Sequence, residues 1–147
     1  MQITSPAFEN SKSIPAKYTC DGDGVNPPLT FRDLPEGVKT LALIMDDPDA
    51  PAGTWTHWLV WNISPESREL AENSVPFGAI VGQGSNGQTV YGGPCPPSGM
   101  HRYFFKLYAL DTKLSIPTYS LQADLEKAMS GHILGQAELV GVYGRNK

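Results

Sequence analysis

Two short stretches hold most of the side chains in this sequence that could do chemistry. The first is Asp46-Asp47-Pro48-Asp49-Ala50-Pro51, followed closely by His57; the second runs Pro94-Cys95-Pro96-Pro97-Ser98-Gly99-Met100-His101-Arg102-Tyr103. Protonated histidine donates from both ring nitrogens, tyrosine offers a hydroxyl, and a glycine-rich turn presents backbone amides at close range. Those groups suit a small oxyanion. An aspartate fits among them only as the partner of a histidine, fixing its tautomer and raising its pKa. Both stretches are stiffened by prolines, which hold the loop's polar groups in place and lower the ordering cost of binding. A single histidine on an apolar strand is more often a satisfied core residue than a ligand. His132, just after a helix stop, is read that way, whereas His57 and His101 each begin a strand beside a stiff loop and are read together.

Two other chemistries use the same residues. Cys95 as a nucleophile with His101 or His57 as base would make a hydrolase, which requires the thiolate within hydrogen-bond reach of an imidazole. His57, His101, Asp47 and Asp49 form a ligand set that would suit zinc. The reading preferred over both is a binding protein, not an enzyme, with no cofactor and no metal. Asp21-Gly22-Asp23-Gly24 opens like a calcium loop, but the later oxygen ligands and the closing glutamate are missing. Cys20 and Cys95 are too few and too far apart for a disulfide scaffold or a zinc ribbon. Two reduced thiols are the favoured reading for an intracellular chain, with a disulfide between them and a reactive Cys95 thiol as alternatives.

The elements that must position these residues are mostly strands. Thr40 to Met45 is an apolar run ending at two aspartates, which reads as a buried strand leading into a loop over 46–54. Residues 55–63 make a second strand, with Trp55, His57, Leu59, Trp61 and Ile63 on one face and Trp58 and Val60 on the other. Large apolar side chains on both faces place it inside the fold. Residues 101–110 make a third strand whose His101, Tyr103, Phe105 and Leu107 share a face, and 133–142 a final one. Residues 1–37 alternate short extended pieces with proline and glycine turns, and 76–100 hold one short extended piece near 79–81. One helix is expected over 121–129, capped by Ser120, with Leu121, Leu125 and Ala128 as its apolar stripe and Gly131 as its stop.

The 147 residues form a single domain by length, with 40% hydrophobic and 18% charged residues, and their 15 glycines and 13 prolines favour turns over long helices. The net charge of -4 gives no basic surface for nucleic acid. No secretory signal opens the sequence and no apolar stretch is long enough to span a membrane, so a cytoplasmic protein is expected.

Asp47-Pro48-Asp49-Ala50-Pro51 with His57-Trp58-Leu59-Val60, and Tyr91-Gly92-Gly93-Pro94-Cys95-Pro96-Pro97-Ser98-Gly99-Met100-His101-Arg102-Tyr103, resemble the two signatures of the phosphatidylethanolamine-binding proteins, also called Raf kinase inhibitor proteins. Tyr18-Thr19-Cys20-Asp21-Gly22-Asp23 and Leu139-Val140-Gly141-Val142-Tyr143-Gly144 resemble the compact prokaryotic branch. The resemblance implies a mainly β fold, a large antiparallel sheet packed with a smaller sheet, with few short helices. It implies a pocket for phosphate, acetate, cacodylate or a phosphoethanolamine head group. Asp47, His57, His101 and Tyr103 match the pocket positions, Trp55 matches a rim aromatic, and Asp49 is assigned to holding the loop. Cys95 falls where animal members have a pocket proline, so Pro94 or Pro96 takes that place. The loop Ala52-Gly53-Thr54 is shorter than in animal members and should leave the pocket more open. By the same resemblance, a kinase or protease is the kind of protein partner implied, and a homodimer is compatible with it.

Overall fold

The structure is a computed structural model that describes residues 1–145. In chain order the strands are β1 (Gln2–Thr4), β2 (Lys12–Ser13), β3 (Leu29–Arg32), β4 (Thr40–Asp47), β5 (Trp55–Ile63), β6 (Glu69–Leu70), β7 (Ile80–Val81), β8 (Met100–Leu110) and β9 (Ile133–Gly144), with one α-helix, α1 (Gln122–Met129). Six of them form a sheet in the order β2-β9-β8-β4-β5-β7, and three form a smaller one in the order β1-β3-β6. Neighbours are antiparallel except the short β2, which runs parallel to β9. Among the described residues no helix is long and apolar enough to cross a membrane.

Alternation along the central strands builds two apolar faces. Leu41, Leu43 and Met45 of β4, Trp58 and Val60 of β5, and Tyr103, Phe105 and Leu107 of β8 share one core with Ile3, Leu29, Phe31 and Leu70 of the small sheet. The opposite side chains, including Ala42, Ile44, Leu59 and Trp61, pack with Leu125 and Met129 of α1. Each large side chain withdrawn from water in this way contributes about 1.5–3 kcal/mol. β4 runs on through Asp46 and Asp47, two residues into the expected loop. The carboxylate of Asp46, 2% exposed, is held on the helix side by Lys106 Nζ and Gln122 Nε2, each at 2.9 Å.

The expected alternation of β5 fails at two places. Met45 pairs with Trp58 but Asp46 with Thr56, so β5 has one residue too many at His57; Leu43 pairs with Val60 but Leu41 with Ile63, so a second extra residue falls near Asn62. These are β-bulges, which turn the following side chains to the other face. Asn62 takes a φ of +55°, and Ile63 consequently joins the core of Trp58 and Val60 rather than the face of Leu59 and Trp61.

Two further expectations are corrected. The helix begins one residue later, with Leu121 at the cap, where its N–H donates to Asp124 Oδ2; Ser120 does not cap it. Leu121 is exposed and Met129 takes its place in the apolar stripe, while Gly131, with a φ of +83°, stops the helix as expected. Cys20 and Cys95 are neither reduced nor reactive: they form a disulfide across a separation of 75 residues. Their distance along the chain concealed this, because pairing depends on the fold bringing the two segments together. The Cys20 N–H also donates to Pro94 O at 3.1 Å and Tyr91 Oη donates to Tyr18 O at 2.9 Å. Asp21, in the apparent calcium loop, instead accepts from Tyr143 Oη and pairs with Arg145.

Candidate functional site

Because β4 runs antiparallel to both β8 and β5, its end lies beside the start of β5 and the first half of β8. Asp47 pairs in register with Trp55, and Asp46 with Phe104. Asp47, Trp55, His57, His101 and Tyr103 are thereby gathered at one end of three adjacent strands. They line a pocket of about 330 Å³, closed by Ala50 and Pro51 of the loop after β4 and by Gly92, Gly93, Cys95, Pro96 and Pro97 before β8.

The bulge decides where His57 points. Simple alternation would leave His57 on the side of Leu59, facing the helix. With the extra residue, His57 meets Tyr103 edge to face, ring centroids 5.2 Å apart, on the side where Trp58 is also buried. Bulges beside functional sites commonly re-aim a side chain in this manner.

Asp47 faces His101. Its Oδ2 accepts from His101 Nδ1 at 2.7 Å and its Oδ1 accepts from the Asp49 N–H at 2.8 Å. Both side chains of this pair are nearly closed to solvent. Each Asp47 oxygen already accepts a hydrogen bond, so the carboxylate orients the imidazole. His57 has a different partner, its Nδ1 donating to Gly92 O at 2.8 Å. Burial pushes the His57 pKa below its ordinary value, against the opposing pull of the Gly92 carbonyl and of Asp47 and Asp46. The upward shift expected for whichever histidine an aspartate holds does not apply to His57, which has a carbonyl beside its Nδ1 instead. The Tyr103 hydroxyl is buried without a hydrogen-bond partner among the described residues, and burial raises its pKa, as do Asp47 and Asp49.

Asp49 stays outside the pocket. Its Oδ1 and Oδ2 accept from Arg102 Nη2 and Nε at 2.9 Å each, and Oδ2 also from the Arg102 N–H at 3.0 Å. The paired guanidinium lowers the carboxyl pKa to about 2. This fork ties the loop after β4 to the start of β8. The four zinc ligands considered above are thus not assembled, and among the described residues no group of three His, Cys, Asp or Glu is placed to hold a metal.

Of the two prolines expected at the wall, Pro96 lines the pocket; Pro94 is buried behind it, its carbonyl taken by Cys20. Trp55, 40% exposed, stands at the rim. Sequence reasoning missed Asn86, which also lines the pocket. It lies in Gly84-Ser85-Asn86-Gly87, where the glycines signalled a loop but nothing signalled its direction.

Against known proteins, the family model described as phosphatidylethanolamine-binding protein matches residues 4–144. The chain belongs to the phosphatidylethanolamine-binding protein family. Within the family it is of the compact prokaryotic type. It is 48% identical to a UPF0098 protein of Methanothermobacter thermautotrophicus, covering 99% of each chain. It is 47% identical to a UPF0098 protein of Chlamydia pneumoniae, covering 99% of this chain and 100% of that one. Among solved structures it resembles a phosphatidylethanolamine-binding protein homologue of Chlamydia trachomatis with a TM-score of 0.95 and 45% identity, over 99% of this chain and 97% of that one. Escherichia coli YbcL, described as a member of the mammalian family, gives a TM-score of 0.92 at 31% identity, over 99% and 98%.

Proposed function

We propose that this chain binds a small oxyanion of the phosphate type in the pocket and holds it without turning it over. The observation that carries this is the convergence of His57, His101 and Tyr103 on one preformed pocket, with Asp47 engaged by His101 and by the loop. A pocket with a few fixed polar groups and a largely apolar, proline-rich wall is the usual form of a small-ligand site. The hydrolase alternative lacks its nucleophile, since the Cys95 sulfur is bonded to Cys20. The test is a thermal-shift titration with inorganic phosphate, phosphoethanolamine and acetate. A ligand that binds only the folded chain adds RT ln(1 + [L]/Kd), so millimolar phosphate raises the melting temperature. No rise with any of the three would sink the proposal.

The wider role we infer is one in which a kinase or protease partner reads the occupancy of the pocket. Its support is the family resemblance together with Trp55, an exposed aromatic at the rim of the kind that anchors protein contacts. Photo-crosslinking from position 55 in intact cells checks it. Capture of neither class of enzyme would remove this role while leaving the binding proposal standing.

A further inference from the structure

A carbonyl oxygen can only accept a hydrogen bond, so the contact with Gly92 O places a hydrogen on His57 Nδ1. In the neutral imidazole the remaining nitrogen, Nε2, is then a bare acceptor, and no hydrogen bond from the described residues reaches it. His57 is 8% exposed and lines the pocket. His101 is held by the same nitrogen, but against a carboxylate. An imidazolium at His101 lies against its countercharge, whereas one at His57 would lie against a neutral carbonyl in a buried site. The groups around His57 are Asp47, Asp46 and His101, which act on it through charge, and the ring edge of Tyr103. The two histidines therefore have different tasks, although both belong to one pocket.

We propose that His57 makes the pocket selective for oxyanions that carry a hydrogen-bond donor. A hydrogenphosphate or singly protonated phosphate ester offers a P–OH to Nε2, while a fully deprotonated oxyanion sets an oxygen lone pair against the imidazole lone pair. The inference rests on the anion-binding reading above and names the ligand class within it. His101, held by Asp47, shares the pocket wall, and His57 reads the proton. Sites that leave a buried polar group unpaired reject the mismatched ligand strongly.

Inorganic phosphate and sulfate at pH 8.5 are the matched pair, dianions of similar size and shape of which only phosphate carries a hydrogen. Calorimetric titration of the full chain is expected to give about tenfold or more tighter binding of phosphate. His57→Gln, whose amide can turn either its N or its O toward the ligand, should bring the ratio close to one. Equal affinities in the parent protein, or a preference for sulfate, would overturn the selectivity, as would an unchanged ratio in His57→Gln. Binding of neither anion would instead overturn the anion-binding reading itself. A ¹⁵N spectrum of the parent protein reads the tautomer without any substitution: a hydrogen on Nδ1 and none on Nε2 is expected at pH 7.5. A hydrogen on Nε2 would refute the mechanism, whether or not the variant folds.

Discussion

His57 and His101 look alike in the sequence and differ in what their Nδ1 atoms meet, a carbonyl for one and a carboxylate for the other. That difference has a signature in stability. The His57 pKa is lower in the folded chain than its ordinary 6.5, so as pH falls below 6.5 the unfolded chain takes up this proton first. Stability therefore declines from about pH 6.5 downward, by at most about 1.4 kcal/mol per pH unit for one group. Asp49, depressed from 3.8 to about 2, acts with the same sign in a separate window below pH 4, because there too the unfolded chain protonates first. Urea denaturation across pH 3 to 8 checks both, and His57→Gln should remove only the upper decline. The affinity for sulfate, whose charge is constant over this range, should rise as pH falls and His57 gains its second hydrogen. A flat sulfate profile by calorimetry would contradict that coupling. Substitutions separate binding from folding in the same pocket. His101→Ala leaves Asp47 without its main partner, costing about 1–3 kcal/mol, and should abolish measurable phosphate binding. Trp58→Ala empties a fully buried site packed edge to face on Tyr91 and should cost about 3–5 kcal/mol. Denaturation midpoints and titrations of both variants should show this inversion.

β4, β5, β8 and β9 were legible because long extended runs, continuously apolar in β4, apolar on both faces in β5 and alternating in β8, outweigh local ambiguity. The face of β8 that carries His101, Tyr103, Phe105 and Leu107 is the one expected. β5 was legible as a strand, and its middle faces, Leu59 and Trp61 against Trp58 and Val60, are the ones expected, but the extra residues at His57 and near Asn62 leave no mark in composition and move His57 and Ile63 to the other face. Asp47 was expected to hold a histidine and holds His101, but the partner of His57 was hidden: Gly92 O is a backbone atom that any residue supplies, so no side-chain pattern could announce it. The wall between β7 and β8 shows the same limit. A Cβ on Gly93 would lie 2.8 Å from Tyr18 O and 3.0 Å from Thr19 Cα, both of them backbone atoms that cannot swing aside. Gly93→Ala should therefore push this loop off the segment around Cys20, costing about 1–3 kcal/mol and weakening phosphate binding. A melt that matches the parent protein would show the contact to be soft.

Across the molecule, the disulfide joins the segment after β2 to the pocket loop, and both cysteines lie at exposed positions. Closing a loop of this length contributes about 2–5 kcal/mol. Reduction should lower the melting temperature accordingly, and a scan with and without dithiothreitol checks it; an unchanged melt would mean the contacts around Tyr18 and Gly93 suffice alone. The same clamp, the Asp49–Arg102 fork and the prolines converge on one small region, and the larger apolar core reaches it through Tyr103. Such an arrangement suits a rigid body that presents a preformed site at one end. The central claim is that this site takes a small oxyanion. It is tested most directly by following ¹H–¹⁵N spectra during a titration with inorganic phosphate at pH 7. Saturable shifts confined to the backbone around Asp47, His57, Gly92, Gly93 and His101 are the predicted result. Shifts spread over the surface, or none in the millimolar range, would contradict the account.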